Sequence, residues 1–95
     1  MLQTPVLKQE SILVIDDDKI TADLIITMFT TTTTVLTALN GKTGLATANN
    51  DKPDLIILDA LIPDMGGYDV CAQLKAMPET ENIPVIFLSL SLIHI

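Results

Sequence analysis

Residues 55–58 read Leu-Ile-Ile-Leu, an apolar run with no polar break, and the run stops on a carboxylate, Asp59. A strand with water on one face alternates apolar and polar residues, so an unbroken run belongs to a strand covered on both faces. After Asp59 the chain breaks into a loop marked by Pro63 and the Gly66-Gly67 pair. Residues 11–18 repeat the arrangement, with Ser11-Ile12-Leu13-Val14-Ile15 running into Asp16-Asp17-Asp18. Open α/β sheets take ligands just past the carboxyl ends of their strands, so an Asp there is placed for chemistry. If the two strands are parallel neighbours, these carboxylates meet at one edge. Like charges that close repel unless a cation sits among them. An oxygen-only cluster suits Mg²⁺, which takes one or two carboxylates, a backbone carbonyl and several waters.

The remaining chain alternates helix and strand signals. Residues 1–10 read as a flexible lead-in and Ser11–Ile15 as the first strand. A helix is expected over Lys19–Phe29, with Ile20, Leu24 and Met28 at helical spacing and Ile25 widening the stripe that should pack on the sheet. Asp18 is in place to cap it. The Thr run at 30–34 turns into a second strand at Thr33–Leu39, which Asn40-Gly41 ends. Gly41-Lys42-Thr43 lacks the earlier glycine of a phosphate loop, since Leu36 stands there. A short helix at Thr43–Asn50 is weakened by Gly44 and the asparagines. A third helix spans Tyr68–Met77, with Val70, Leu74 and Met77 as its buried stripe and Cys71 beside them. A fourth strand runs Pro84–Ser89. Such alternation calls for a parallel sheet with right-handed crossovers.

Ninety-five residues allow one domain. A net charge of −7 argues against direct nucleic-acid binding, which needs a clustered Lys/Arg surface, and against an anionic membrane surface. The single cysteine excludes an internal disulfide and fits a reducing compartment. No signal-peptide h-region and no membrane-length apolar stretch is present, so the expected location is the cytoplasm.

Three stretches together resemble the receiver domain of bacterial two-component response regulators: Ile-Leu-Val-Ile-Asp-Asp-Asp at 12–18, Leu-Asp-x-x-x-Pro-x-Met-x-Gly at 58–67, and Ile-Pro-Val-Ile-Phe-Leu-Ser at 83–89. The resemblance implies a flavodoxin-like, doubly wound α/β fold with a parallel sheet of order 2-1-3-4. The family's fifth strand, its last two helices and the face used for dimerisation find no counterpart. It implies that Asp59 is the phosphoacceptor, taking a phosphoryl group from a sensor histidine kinase or a phosphotransfer protein. Asp17 would touch Mg²⁺ directly and Asp16 through water, with Asp59 and the backbone carbonyl of Leu61 completing the protein ligands. Ser89 matches the hydroxyl that binds the phosphoryl oxygen. The family's conserved lysine has no match, and His94 and Tyr68 receive no role. On this reading the chain is a signalling domain that transfers a phosphoryl group to itself, not an enzyme acting on a separate substrate.

Residues 11–89 therefore form a partial receiver, and 90–95 (Leu-Ser-Leu-Ile-His-Ile) depart from the family pattern. A common sequencing-adapter DNA read in one frame encodes the same six residues, which makes a cloning artefact one reading of that tail. A sheet ending at the fourth strand leaves an unpaired edge, so a marginally stable, poorly signalling or non-functional fragment is expected. A rival resemblance is to haloacid-dehalogenase-like phosphatases, with Asp16-x-Asp18 as the nucleophile motif, Asp16 as nucleophile and Ser89 as the second motif. Asp59, Pro63 and Gly67 have no place in that scheme.

Overall fold

In the computed structural model, which describes residues 10–29 and 33–88, four strands form one sheet. They are β1 (Glu10–Ile15), β2 (Thr33–Ala38), β3 (Leu55–Asp59) and β4 (Val85–Leu88), joined through helices α1 (Lys19–Phe29), α2 (Gly41–Asp51) and α3 (Gly67–Ala76). The strand order is β2-β1-β3-β4, and every neighbouring pair is parallel. This is the doubly wound order that the resemblance implied. Ser89, the tail at 90–95, most of the lead-in and Thr30 to Thr32 lie outside the described residues.

The apolar runs explain why β1 and β3 are central. Leu13 and Ile15 of β1 and Ile56 and Leu58 of β3 point to one face, where Ala48 of α2 and Val70 and Leu74 of α3 cover them. Ile12 and Val14 point to the other face, where they meet Ala22 and Ile25 of α1. Both faces are apolar, so strict alternation disappears from the sequence of these strands. Each fully buried Leu or Ile contributes about 1.5–3 kcal/mol relative to exposure.

The α1 stripe is a correction. Its span matches expectation, but Ile20, Leu24 and Met28 are 72%, 62% and 73% exposed. Of the expected stripe only Ile25 packs on the sheet, and the residues beside it there are Thr21 and Ala22. Ala22 is small and lets the helix lie close on β1, which turns the larger residues aside. Leu24 and Met28 line an open apolar groove of about 360 Å³ with Ile57, Ile86 and Leu88.

Helix α2 is longer than the sequence suggested, because Asn40 begins it instead of ending the strand. Asn40 is the N-cap, and its side chain accepts the Thr43 N–H at 2.8 Å. Lys52 closes the helix in the left-handed region at φ 46°, its N–H donating to the Ala48 carbonyl. Gly44, a poor helix former, is there for contact: a Cβ on it would sit 2.5 Å from Ile15 Cδ1. Close approach of α2 to β1 requires its absence.

Gly44→Ala is therefore expected to destabilise the fold by about 1–3 kcal/mol through overpacking, despite alanine's better helix propensity. Ile15→Val in the same chain removes the clashing methyl and recovers part of the loss. Urea midpoints of the two single variants and the double variant check this; additive effects would contradict it.

Candidate functional site

Pairing of β1 with β3 puts Ile15 opposite Leu58, so the residues that follow, Asp16 and Asp59, emerge at the same sheet edge. Asp16, Asp17 and Asp59 each offer a carboxylate oxygen, and these oxygens lie within 4.8 Å of one another. Together with Asp18, Thr21, Leu61 and Leu88 they line a recess of about 220 Å³. The sequence expectation that two strand ends would bring these carboxylates together is met by the geometry. An oxygen-only donor set of this charge fits a hard divalent cation.

Each carboxylate has a distinct environment. Asp16 is 3% exposed, and its Oδ1 accepts the Asp18 N–H at 2.9 Å. Its own N–H donates to the Ala38 carbonyl of β2 at 3.0 Å, which anchors the residue to the sheet. Asp17 is exposed at the mouth. Asp18 serves α1: its carboxylate accepts the Ile20 N–H and the Thr21 hydroxyl, both at 3.0 Å. That is N-cap work, as expected for it.

Asp59 is half-buried, and its Oδ1 accepts the Leu61 N–H at 3.0 Å. The loop after it folds back on itself, with Leu61 and Gly66 forming a short antiparallel bridge and the Gly67 N–H donating to the Ala60 carbonyl at 3.1 Å. Gly67 gains a physical reason here: a Cβ on it would lie 2.7 Å from both Ala60 Cα and the Asp59 carbonyl oxygen. Those are backbone atoms and cannot move aside, so α3 starts against the phosphoacceptor candidate only because residue 67 has no side chain. Ser89 follows β4 but lies outside the described residues.

Two participants were not foreseen. Thr21 lines the recess one helical turn after Asp17, a spacing visible in the sequence but without a motif to mark it. Asp64, in the loop after β3, accepts the N–H groups of Gly41 and Lys42 at the start of α2, a contact across more than twenty positions that no local pattern announces. Those two N–H groups hold its carboxyl below the usual range.

The Asp16 carboxyl is pushed up to about 6. Burial is the main cause, the Asp18 N–H opposes it, and the nearby Asp59 and then Asp17 add to the rise. Between the ordinary value of 3.8 and about 6, the folded chain holds a proton that the unfolded chain has released. Without a divalent cation, stability from this group is therefore lost as pH climbs through that window. Asp16→Asn should flatten that part of the profile. Urea midpoints of both proteins from about pH 4 to about pH 7, in chelator, check it; parallel profiles would contradict the assignment.

Comparison with known proteins agrees with this architecture. The model of the response regulator receiver domain family matches residues 12–92. Response regulator PleD of Caulobacter vibrioides is 47% identical over 55 residues, covering 58% of this chain and 12% of PleD. The solved N-terminal domain of a response regulator receiver protein from Methanoculleus marisnigri superposes with a TM-score of 0.79 at 32% identity, covering 84% of this chain and 66% of that one. A phosphorylated cyanobacterial phytochrome response regulator, RcpA, gives a TM-score of 0.76 at 28% identity, covering 86% and 66%. The chain thus spans about an eighth of PleD and about two thirds of these solved chains. With the family model matched across most of its length, and with the fold and strand order of its solved neighbours, this chain belongs to the response regulator receiver domain family.

Proposed function

We propose that the chain is a phosphoacceptor in two-component signalling, taking a phosphoryl group onto Asp59 from a phosphohistidine of a sensor histidine kinase or phosphotransfer protein. The observation that carries this is the convergence of Asp16, Asp17 and Asp59, with carboxylate oxygens within 4.8 Å, in an open recess at the ends of adjacent strands. The phosphorylated state named for the similar RcpA supports the same chemistry.

Asp59 supplies a carboxylate oxygen that attacks phosphorus; an O–P bond forms as the N–P bond of a phosphohistidine protonated on its other ring nitrogen breaks, leaving an acyl phosphate and a neutral imidazole. Asp17 and Asp59, with the Leu61 carbonyl, are the candidates to hold Mg²⁺ directly, and Asp16 through water. When bound, Mg²⁺ offsets the negative charge of the carboxylate and phosphoryl groups that must approach. The Leu61 N–H holds Asp59 Oδ1 and so orients the carboxylate in the recess. Ser89, next after β4, is assigned the hydroxyl that meets a phosphoryl oxygen.

A dehalogenase-type reading makes Asp16 the nucleophile, but Asp16 is 3% exposed and spends Oδ1 on the Asp18 N–H. The test is covalent labelling with acetyl phosphate and Mg²⁺, read as an acyl phosphate by intact mass. Asp59→Asn should abolish the label, whereas Asp16→Asn should slow it about 10–100-fold, the range for groups acting on a metal through an intermediary. Labelling that survives Asp59→Asn and vanishes with Asp16→Asn would transfer the role to Asp16. Removing Mg²⁺ with chelator should stop labelling of the unaltered chain.

A further inference from the structure

The β3–α3 loop carries both Leu61 and the turn that starts α3, and it is held at its base and its tip. At the base, Leu61 pairs with Gly66 and the Gly67 N–H meets the Ala60 carbonyl. At the tip, Asp64 reaches across to α2, its Oδ1 accepting the Gly41 N–H at 2.7 Å and its Oδ2 the Lys42 N–H at 3.0 Å. The first N–H groups of a helix have no partner within it. In α2 they are divided between two sources: Asp64 takes those of Gly41 and Lys42, Asn40 Oδ1 takes that of Thr43, and the Asn40 carbonyl takes that of Gly44. Asp64 thus completes a helix cap from outside the helix. A carboxylate at that end also meets the positive end of the helix dipole.

Packing reinforces the contact. A Cβ on Gly41 would lie 2.6 Å from Met65 Sδ and 2.9 Å from Val70 Cγ2, so the residue after Asp64 seats directly on the first turn of α2. The loop can move away from α2 only by breaking two charge-assisted hydrogen bonds and lifting Met65. Its far end is the Leu61 N–H, which holds Asp59 Oδ1.

We propose that Asp64 is a positioning residue for the phosphoacceptor site: by bridging to the α2 N-terminus it fixes the β3–α3 loop, and through it Leu61 and the orientation of the Asp59 carboxylate. The lowered pKa of Asp64, set by the same two N–H groups, agrees with a carboxylate that stays charged in this contact. The proposal rests on the phosphoacceptor reading above only for its consequence, the cation and phosphoryl chemistry. The bridge itself is a property of the fold.

The test compares Asp64→Ala, Asp64→Asn and a remote destabilised control, Thr80→Val. Thr80 is buried in the α3–β4 connection and its hydroxyl donates to the Leu74 carbonyl at 2.7 Å, away from the strand ends that carry the Asp cluster. Amide resonances and hydrogen exchange of Gly41, Lys42 and Leu61 are followed first without cation, then through a Mg²⁺ titration. Asp64→Ala should expose the Gly41 and Lys42 amides, shift Leu61, and weaken Mg²⁺ binding several-fold. Asp64→Asn, which keeps one acceptor oxygen, should recover part of both effects, and Thr80→Val should lower stability with Mg²⁺ affinity unchanged. Loss of protection at Gly41 and Lys42 with Leu61 and Mg²⁺ affinity unmoved would overturn the proposal, as would equal weakening by Thr80→Val. If the unaltered chain binds no Mg²⁺, the phosphoacceptor reading fails, and the cation-free Leu61 response alone decides whether Asp64 positions the loop.

Discussion

Parallel pairing of β1 with β3 puts Ile15 beside Leu58, and the chain on each side leaves the sheet at the same height on an aspartate. The meeting of the three carboxylates depends on that alignment. A slip of one residue would turn every side chain of a strand to the other face, separate the two strand ends and, in one direction, carry Asp16 or Asp59 into the core slot of Ile15 or Leu58. The two-sided apolar core thus holds the register, and the register holds the carboxylates together. Hydrophobic burial sets a geometry that electrostatic repulsion alone would oppose.

The opposing term is visible at Asp16. Burial disfavours its charge, and Asp59 and Asp17 disfavour it further, while the Asp18 N–H only partly offsets them. The share of that rise that comes from Asp59 and Asp17 is the repulsion that the divalent cation proposed for this recess would relieve. The crowded carboxylates disfavour folding at the strand ends, and the apolar layers beneath offset that cost.

Around this edge, small residues decide how closely the elements meet. Gly67 lets α3 begin against the backbone of Asp59 and Ala60, Gly44 lets α2 lie on Ile15, and Gly41 admits Met65 over the first turn of α2. As isolated letters, Gly44 and Gly41 looked like helix weakness and a strand terminator. In three dimensions they are the close contacts that seat α2 on Ile15 of β1 and against Met65 of the loop after β3.

Much of this was legible in the sequence because it is local or periodic. The unbroken runs at 12–15 and 55–58 required strands covered on both faces, and their terminal aspartates required a polar edge. The order of strand and helix signals then constrained the sheet to parallel crossovers. What the sequence could not decide was which side of α1 faces the sheet. Ile20, Leu24, Met28 and the Ala22–Ile25 side differ by about a third of a turn, and a periodic pattern is blind to whether bulk or close approach wins. Close approach won, at Ala22. Nor could it show that Asp64 caps α2 or that Asn40 starts it, since the first contact joins residues far apart in the chain and exists only after the sheet has brought two loops to one edge. The sequence determined the strands and the aspartates at their ends; the tertiary structure decided helix facing and loop bracing, because both depend on distances between elements that no local pattern encodes.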